Sequence, residues 1–412
     1  MMMDDTACKH KAAWRVLKRI CGNKDCWGKG KHLVESNLQH THTPHWLCQK
    51  VISELGRNTG LCDKDILTFN LEFVEVLLYD FGVDRKRVWL ATDCREKAAI
   101  LEHPRYRGVN ARILDLSRNG ADMGRQFDVV IMNPPFHKPS TASQQRPNHH
   151  GEPLWPDFVN KALSLCKEDG FCAFVHPSKW RKPENKFWPL LSRKCLAYLE
   201  IHDDKDGDET FKTKTRYDWY VLQNSKADAG WNTTVIDENG IRHEFKLGQL
   251  PCLPNFCFDE FLGILAGEGE KRLDVLPVGL EHDVRRPGMS KKKNQEFKYP
   301  CVHSIRQGDK VSFYYSNRKS DMFVPKIILS DSRHLYPIID TNGEYGMSAH
   351  CFGIKIDSIE WAGLTKKAIE SPRFKDIVRA TKWASYGTDY RMFKLFKRDF
   401  WKAFVDEDGN EI

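Results

Sequence analysis

The sequence predicts an α/β fold in which a Rossmann-like, doubly wound sheet with a late antiparallel hairpin precedes a second, mixed α/β domain. Two observations predict the sheet. Short apolar runs alternate with segments of helical periodicity between residues 43 and 222, and short connections join them, as in folds built from strand–helix–strand units. A third observation predicts the second domain: beyond about residue 225 short strand-like pieces are mixed with Gly, Pro and Asn.

The first predicted helix begins at Thr43-Pro44, with Thr43 as the N-cap and Pro44 in the first helical position. Further helices are predicted to begin near Asn70 and Arg95, and another spans 155–166. The predicted strands lie, in chain order, at 65–69, 87–91, 111–114, 127–132, 170–175, 196–202 and 217–222.

The chain is predicted to have three parts. Residues 1–40 form a basic N-terminal extension, 41–240 form the sheet domain, and 241–412 form the second domain. Two helices, at 358–370 and 373–383, are predicted within the second domain.

The composition is that of a globular protein, with 412 residues, 41% hydrophobic and 29% charged. No apolar run approaches the roughly 20 residues that span a bilayer. The N-terminus lacks the cationic and apolar regions of a secretory signal, so no membrane partner is predicted. The 13 cysteines are scattered and odd in number, which favours a reducing compartment. Cys8, His10, Cys21 and Cys26 do not have a recognised zinc-ligand spacing, so no metal site is predicted.

The run Phe127–Met132 leads directly into Asn133-Pro134-Pro135-Phe136. Ligands of parallel sheets bind beyond the carboxyl ends of the strands. The two prolines end the ladder and keep the backbone extended. We therefore expect the side-chain carbonyl of Asn133 and the carbonyl of Pro134 to face a cleft. Two such acceptors suit the two N–H groups of an exocyclic amine, and Phe136 suits stacking on the ring that carries it.

Two aspartates follow other predicted strands, Asp93 after 87–91 and Asp115 after 111–114. Carboxylates accept paired hydrogen bonds from diols and amines, which suits a ribose and an adenine. An isolated Asp after a strand is more often a turn residue or a helix cap. It is the combination of both with the Asn133 motif that favours a cofactor site along one edge of the sheet.

The Asn-Pro-Pro-aromatic motif resembles that of S-adenosylmethionine-dependent amino methyltransferases. The whole order of elements is similar to gamma-type DNA adenine-N6 methyltransferases of the Eco57I/TaqI-like group, of viral or restriction–modification type. The later stretches 174–183, 198–202 and 210–220 are also similar to viral and bacterial members. The resemblance covers about 43–222. It implies that residues 241–412 recognise the target, that double-stranded DNA is a partner, and that a cognate restriction endonuclease is a possible second partner. It places the protein in a bacterial or viral-host cytoplasm, with the host nucleus left open.

The resemblance also implies roles for individual residues. It implies that Asn133, Pro134, Pro135 and Phe136 form the catalytic motif. It also implies that a flipped-out adenine stacks between Phe136 and Phe211. Residues implied to bind S-adenosylmethionine are Thr43, Pro44, Asn70, Glu72, Asp93, Asp115 and Asn133.

The chain departs from the family in the turn after its first strand. Members usually carry glycines there, so that the backbone approaches the cofactor closely. Here the turn contains Asn70 and Glu72 and lacks glycine. We expect either that Asn70 adopts the tight conformation, which Asn tolerates better than most residues, or that the cofactor sits differently.

Basic residues cluster in the second domain, with eleven Lys or Arg against four Asp or Glu between positions 283 and 330, in a chain of net charge +8. Such a cluster suits phosphate contacts, although a solvated loop is the competing interpretation. A second mixed basic and aromatic stretch, at 379–391, suits base reading or a plain surface helix and loop. Candidate DNA-binding residues are Arg285, Arg286, Lys291, Lys292, Lys293, Arg379, Lys382 and Arg391.

Two alternatives stay open. Asn-Pro-Pro-aromatic motifs also occur in enzymes that methylate guanine N2 in ribosomal RNA or a glutamine in a protein. The turn without glycine is also compatible with a catalytically silent nucleic-acid-binding relative.

Overall fold

The chain forms two compact units. The first contains the described residues up to Ser178 together with Pro189–Gln249, and the second contains Lys179–Trp188 and Leu250–Ile412. The sequence places its domain boundary at 240/241, a few residues before the change of unit at Gln249. The computed structural model describes residues 42–92, 101–113, 123–137, 153–308, 310–332, 335–384 and 387–412.

The first unit is built on one nine-stranded sheet. Its strands are β1 Ile66–Thr68, β2 Val88–Thr92, β3 Asn110–Ile113, β4 Phe127–Met132, β5 Cys166–Pro177, β6 Lys194–His202, β7 Tyr217–Lys226, β8 Thr233–Ile236 and β9 Arg242–Phe245. Their order is β3-β2-β1-β4-β5-β7-β6-β8-β9. The pairs from β3 to β5 are parallel, and β7 is antiparallel to both β5 and β6. The predicted doubly wound sheet with a late antiparallel hairpin is confirmed.

Three of the helices around this sheet lie where the apolar periodicity predicts them, whereas the two short helices Phe187–Ser192 and Asp204–Phe211 are not among the predicted elements. These helices are α1 His45–Thr59, α2 Leu71–Tyr79, α3 Trp155–Leu165, α4 Phe187–Ser192 and α5 Asp204–Phe211, with α4 crossing from the second unit into the first. One face of α1 is buried, through Leu47, Val51, Ile52 and Leu55 at helical spacing. All three residues of β1 are buried, as are five of the six of β4, as expected for central strands covered on both faces. The helix predicted near Arg95 lies outside the described residues.

The predicted cap of α1 is wrong. The helix begins at His45, so that Pro44 occupies the N-cap position and Thr43 precedes it. Thr43 is completely buried, and its hydroxyl accepts a hydrogen bond from the side chain of Asn133.

The directions of the strands determine which strand ends lie at the same edge of the sheet. Because β6 is antiparallel to β7, and β7 is antiparallel to β5, β6 runs parallel to β5 and to β4. The carboxyl ends of β1, β4, β5 and β6 therefore lie along one edge of the sheet, called here the carboxyl edge. Ligands of such sheets bind at this edge.

The second unit is also mixed α/β, as predicted. Its two four-stranded sheets have the orders β10-β17-β14-β15 and β11-β13-β12-β16. The strands are β10 Val275–Leu276, β11 Met289–Ser290, β12 Tyr299–Arg306, β13 Lys310–Ser316, β14 Lys326–Ser330, β15 Ile338–Asp340, β16 Gly346–Met347 and β17 Cys351–Lys355, and the helices are α6 Phe258–Gly263, α7 Ile359–Glu370 and α8 Pro372–Ala380. The last helix ends three residues before its predicted end, at the C-cap Thr381.

Within the described part of the chain every cysteine is a free thiol. None of the helices seen there has the length and apolar character needed to cross a bilayer. The described residues also contain no group of three His, Cys, Asp or Glu side chains placed to hold a metal ion.

Candidate functional site

The candidate site begins where β4 ends. The strand runs from Phe127 to Met132, with the predicted bounds, and Asn133 follows it at the carboxyl edge. Asn133 is 1% exposed and Phe136 is 7% exposed, and Pro134 and Pro135 are buried between them. The motif is therefore part of the packed interior at the tip of a central strand, and the side-chain carbonyl of Asn133 does not face the open cleft that the sequence predicts.

The side chain of Asn70 pairs with the backbone of Asn133. The Asn133 N–H donates to Asn70 Oδ1 at 2.9 Å, and Asn70 Nδ2 donates to the Asn133 carbonyl at 3.0 Å. One amide side chain thus satisfies both backbone groups of the residue that leads the motif. A buried backbone group without such a partner would cost about 1–3 kcal/mol.

The side chain of Asn133 contacts Thr43. Asn133 Nδ2 donates to Thr43 Oγ1 at 2.9 Å, which turns Oδ1 of the same amide away from Thr43. The Thr43 N–H in turn donates to Glu72 Oε1 at 3.4 Å. Cys48 Sγ lies 3.8 Å from the Thr43 carbonyl oxygen, which ties Thr43 to the first turn of α1. We call Thr43, Asn70 and Asn133 the amide cluster.

The sequence pointed to most of these residues but not to their contacts. Thr43, Pro44, Asn70, Glu72 and Asn133 do come together at the carboxyl edge. The two predicted carboxylates Asp93 and Asp115 lie outside the described residues. What sequence reasoning missed is that the amide of Asn70 and the hydroxyl of Thr43 are directed at Asn133, because neither contact leaves a local pattern in the chain.

The expectation that Asn70 adopts a tight turn conformation is wrong. Its backbone is extended, with φ −126° and ψ 127°, and the described stretch 61–81 contains no residue with a positive φ. The chain passes from β1 to α2 through an extended Asn70. This extended backbone allows the Asn70 side chain to reach Asn133. A glycine at position 70 could not make these hydrogen bonds, because it has no side chain.

Phe136 and Phe211 lie against each other. Their ring centroids are 5.9 Å apart and the ring planes meet at 80°, an edge-to-face contact. Phe211 is 9% exposed. Two perpendicular rings in contact do not form parallel walls, so the structure does not show the sandwich arrangement predicted for a base. A base stacked on Phe136 requires Phe211 to move.

Helix α5 carries Phe211 at its last residue. Asp203 caps the helix by accepting from the Asp206 N–H at 2.7 Å, and Lys212 ends it in a left-handed conformation with φ 56°. A Cβ built on Gly207 would lie 1.9 Å from the carbonyl oxygen of Thr215, so only glycine allows this close approach.

A charged cluster lies beside α5, at the end of β6. The ring nitrogens of His202 face Glu200 Oε1 at 3.1 Å and Asp206 Oδ2 at 3.2 Å. Two carboxylates that face the two ring nitrogens favour the doubly protonated, cationic form of His202. Tyr217 donates to Asp206 Oδ1 at 2.6 Å, and Lys50 pairs with Glu200. We call these five residues the His202 cluster.

The pKa shifts of the His202 cluster follow from these contacts. Burial alone would lower the pKa of His202, but the hydrogen bonds and charges of Asp206 and Glu200 outweigh burial and raise its pKa to about 9. Burial alone would raise the pKa of Glu200, yet its contacts with His202, Lys50 and Tyr198 lower its pKa to about 2. The pKa of Asp206 is also lowered, against burial, by His202 and Tyr217.

Aromatic contacts join the His202 cluster to Phe136. The imidazole of His202 stacks on Tyr217 with a centroid distance of 4.4 Å and an angle of 3°. Tyr217 meets the Phe211 ring at 4.8 Å and 77°. The rings from His202 to Phe136 thus form a continuous series along the carboxyl edge.

The candidate DNA-binding residues differ in how far they are engaged within the protein. Arg285 is 84% exposed but donates to both oxygens of Asp283, at 2.9 and 2.5 Å. Arg379 pairs with Asp376 at 3.1 Å. Arg286, Lys291, Lys292 and Lys293 are exposed.

Two of the predicted base-reading residues, Lys382 and Arg391, are partly buried. Arg391 donates to both oxygens of Asp389, at 2.7 and 2.5 Å, and is only 27% exposed. Asp389 also lies 3.5 Å from Lys182 Nζ, and Lys382 is half-buried. These contacts give Arg391 a structural partner inside the second unit.

A family model described as the Eco57I restriction-modification methylase matches residues 68–199. The chain carries an Eco57I-like methylase segment. The match includes β4 and the whole Asn133–Phe136 motif, and it supports S-adenosylmethionine as the cofactor. No curated protein matches the chain.

Several solved structures resemble this chain to different extents. In a cryo-electron-microscopy structure of a DrdV–DNA complex, the likeness covers 98% of this chain and 59% of that chain, with 13% identity and a TM-score of 0.52. The type IIG restriction endonuclease BpuSI matches over 92% of this chain and 60% of that chain, with 10% identity and a TM-score of 0.43. A class I S-adenosylmethionine-dependent methyltransferase from Listeria monocytogenes matches over 53% and 68%, with 16% identity and a TM-score of 0.36.

The DrdV likeness shows the fold over nearly the whole chain. This chain spans about half to three-fifths of the length of the restriction–modification proteins that it resembles, from 47% of a type I system chain to 60% of the BpuSI chain.

Proposed function

We propose that this chain transfers a methyl group from S-adenosylmethionine to the N6 amine of an adenine flipped out of a specific site in DNA. The observation that carries the proposal is the buried Asn133-Pro134-Pro135-Phe136 segment at the tip of β4, inside the segment that matches the Eco57I methylase family. Bases inside a duplex cannot reach such a site, so the proposal includes base flipping.

The proposed chemistry requires two acceptors, Asn133 Oδ1 and the Pro134 carbonyl, to bind the same amine. The amine of adenine is a weak nucleophile because its lone pair is delocalised into the ring. When Asn133 Oδ1 and the Pro134 carbonyl accept its two hydrogens, the nitrogen moves toward tetrahedral geometry and its lone pair becomes available. Most of the rate enhancement would then come from the orientation of the amine toward the methyl group, and no strong general base is required.

Among the described residues, Glu72 is the one proposed to bind the methionine end of the cofactor. The Glu72 carboxylate is partly exposed at the start of α2, and a carboxylate is the group that would bind the cofactor's amino group. Asp93 and Asp115 are proposed for the ribose and the adenine. When bound, S-adenosylmethionine supplies an electrophilic methyl group on a cationic sulfur.

Phe136 is the proposed stacking platform for the adenine. Its present partner, Phe211, occupies the place next to its ring, at 5.9 Å. Entry of the base therefore displaces Phe211, which sits at the end of the short helix α5. In the proposed complex the two rings face the base from either side.

The second unit is proposed to bind the target DNA. The exposed residues Arg286, Lys291, Lys292 and Lys293 suit phosphate contacts, which position a protein without reading sequence. Arg379 and Lys382 stay candidates for base reading, whereas the Asp389 pair makes Arg391 a weaker one. A cognate restriction endonuclease and a cytoplasmic location remain predictions from the family resemblance.

One assay tests the proposal. The full chain is incubated with tritiated S-adenosylmethionine and, separately, with duplex DNA, ribosomal RNA and protein, and the labelled products are identified. We expect N6-methyladenine in DNA alone. N2-methylguanine in RNA, or methylglutamine in protein, would replace the proposal by the corresponding alternative. DNA binding without any transfer would identify a catalytically silent relative.

A further inference from the structure

The side chain of Asn70 is used in an unusual way. Asn70 occupies the N-cap position of α2, where an Asn side chain normally accepts from a backbone N–H of the first helical turn. Among the described residues its side chain makes no such cap. It pairs instead with both backbone groups of Asn133, 63 residues later in the chain. The contact with Asn133 has displaced the local one.

The backbone of Asn70 is itself held in place. Its N–H donates to Thr68 Oγ1 at 3.2 Å, and the Thr68 hydroxyl donates to the Asn70 carbonyl at 3.3 Å. Both residues are buried. Thr68 ends β1, which pairs in parallel with β4, so the amide of Asn70 is anchored on the neighbouring strand.

Thr43 fixes the other half of Asn133. As a residue before proline, Asn133 is already restricted to an extended backbone, and Asn70 satisfies that backbone. The remaining freedom is rotation of the carboxamide. Thr43 Oγ1 accepts from Nδ2 at 2.9 Å, which determines the direction of Oδ1. Glu72 holds the Thr43 backbone through its N–H.

We infer that Asn70 and Thr43 are positioning residues that hold Asn133 in its reactive orientation, rather than ligands of the cofactor. This inference rests on the proposed function, since it assigns them to the same methyl transfer. It also accounts for the turn without glycine, because a side chain is required after β1 to hold the tip of β4. All the groups in these contacts with Asn133 are neutral: the side-chain amides of Asn70 and Asn133 and the hydroxyl of Thr43.

The first test compares two substitutions of Thr43 in the full chain. Thr43→Val keeps the shape but removes the acceptor, and Thr43→Ser keeps the hydroxyl. We expect Thr43→Val to lower the single-turnover methyl-transfer rate about 10- to 100-fold, since small misplacements of reacting groups have effects of this size. The dissociation constant for S-adenosylmethionine, measured by calorimetry, should change less than about threefold. Thr43→Ser should recover most of the rate.

Two results would overturn the role of Thr43. If Thr43→Val weakens cofactor binding while the single-turnover rate at saturating cofactor is kept, Thr43 is a cofactor ligand. If Val and Ser variants both match the wild type, the hydroxyl does not position Asn133.

The second test does not depend on activity. Pro134 and Pro135 lack amide hydrogens, so the Asn133 amide is the last exchangeable backbone site before Phe136 and can be followed by hydrogen exchange. Asn70→Ala should speed exchange at Asn133 by about 10-fold or more, because it removes the acceptor of that N–H. Asn70→Asp keeps an oxygen for the N–H but loses the donor to the carbonyl. It should therefore keep more of the protection while still lowering the transfer rate.

These measurements separate the two proposals. If wild-type protein transfers no methyl group to DNA, the proposed function fails, and the exchange data still decide whether Asn70 holds the Asn133 backbone. If Asn70→Ala folds as judged by circular dichroism and leaves exchange at Asn133 unchanged, the positioning role of Asn70 is wrong. Should Asn70→Ala not fold, Asn70→Asp provides the same comparison, and an unchanged transfer rate in that variant contradicts the role.

Discussion

Two polar clusters lie along the same carboxyl edge, one buried and one partly exposed, and they are built from opposite kinds of side chain. The amide cluster holds Asn133 with neutral groups only, at hydrogen-bond distances of 2.9–3.0 Å. The His202 cluster is ionic, with one imidazolium between two carboxylates. Neutral groups hold an orientation that does not change with pH, whereas buried charges contribute stability that depends on it.

This difference suggests a division of labour within one sheet. The three residues proposed to position the reacting amine, Asn133, Asn70 and Thr43, do not titrate, so pH does not change the charge of any of them. The titratable groups lie at β6 and support α5, which carries Phe211. The predictions below test that division, beginning with the largest effect.

Asn133→Ala removes the proposed acceptor while leaving the backbone pairing with Asn70 in place. We expect the single-turnover rate to fall by roughly 10²–10³-fold or more, as when one preorganised hydrogen-bonding group is removed from an active site. DNA binding, measured by fluorescence anisotropy, should stay within a few-fold of wild type. Asn58→Ala, an exposed position on α1, is the matched control and should retain full activity. Retained turnover in Asn133→Ala would refute the mechanism.

His202→Gln removes the cation of the His202 cluster. We expect the free energy of unfolding at pH 6 to fall on the order of 2 kcal/mol, because the buried Glu200 and the partly exposed Asp206 lose their shared partner. The folded-state pKa of His202, about 9, lies above its ordinary value of 6.5, so its stabilising effect is complete below pH 6.5 and is lost as the pH rises through 9.

Urea unfolding at a series of pH values checks this prediction. The difference in stability between wild type and His202→Gln should shrink between pH 6.5 and 9. A difference that stays constant over this range would show that His202 contributes through packing on Tyr217 and not through its charge.

Tyr217→Phe tests a single contact of the same cluster. It removes the hydrogen bond to Asp206 but keeps the ring that stacks on His202 and meets Phe211. We expect a loss of about 1 kcal/mol in the free energy of unfolding and a methyl-transfer rate within about twofold of wild type. A large drop in rate would mean that the His202 cluster takes part in the reaction itself, against the division drawn above.

The smallest expected effect is that of pH on the wild-type reaction. Because Asn133, Asn70 and Thr43 do not titrate and His202 stays cationic up to about pH 9, the single-turnover rate should change less than about twofold between pH 6 and 8. A bell-shaped profile with a pKa near 7 would indicate a general acid or base that the neutral site does not contain.

Much of the fold was predictable because its signals are local. The bounds of β4 were predicted to the residue, since a continuous apolar run stops at Asn-Pro-Pro. The strands 196–202 and 217–222 were recognised but proved longer, as β6 and β7 extend beyond their apolar parts. The predicted N-cap of α1 was wrong. The prediction used only the local pattern of Thr before Pro, whereas the Thr43 hydroxyl bonds to Asn133, which is distant in the sequence.

By itself the sequence determined which elements form and that Asn133 leads the motif at the tip of a central strand. Periodic burial and the stiffness of proline act over a few residues, so they can be read along the chain. Only the tertiary structure decided how Asn133 is held, because Asn70 and Thr43 lie 63 and 90 residues away and meet it through side-chain hydrogen bonds. Parallel pairing of β1 with β4 brings the first of them there, and the start of α1 brings the second.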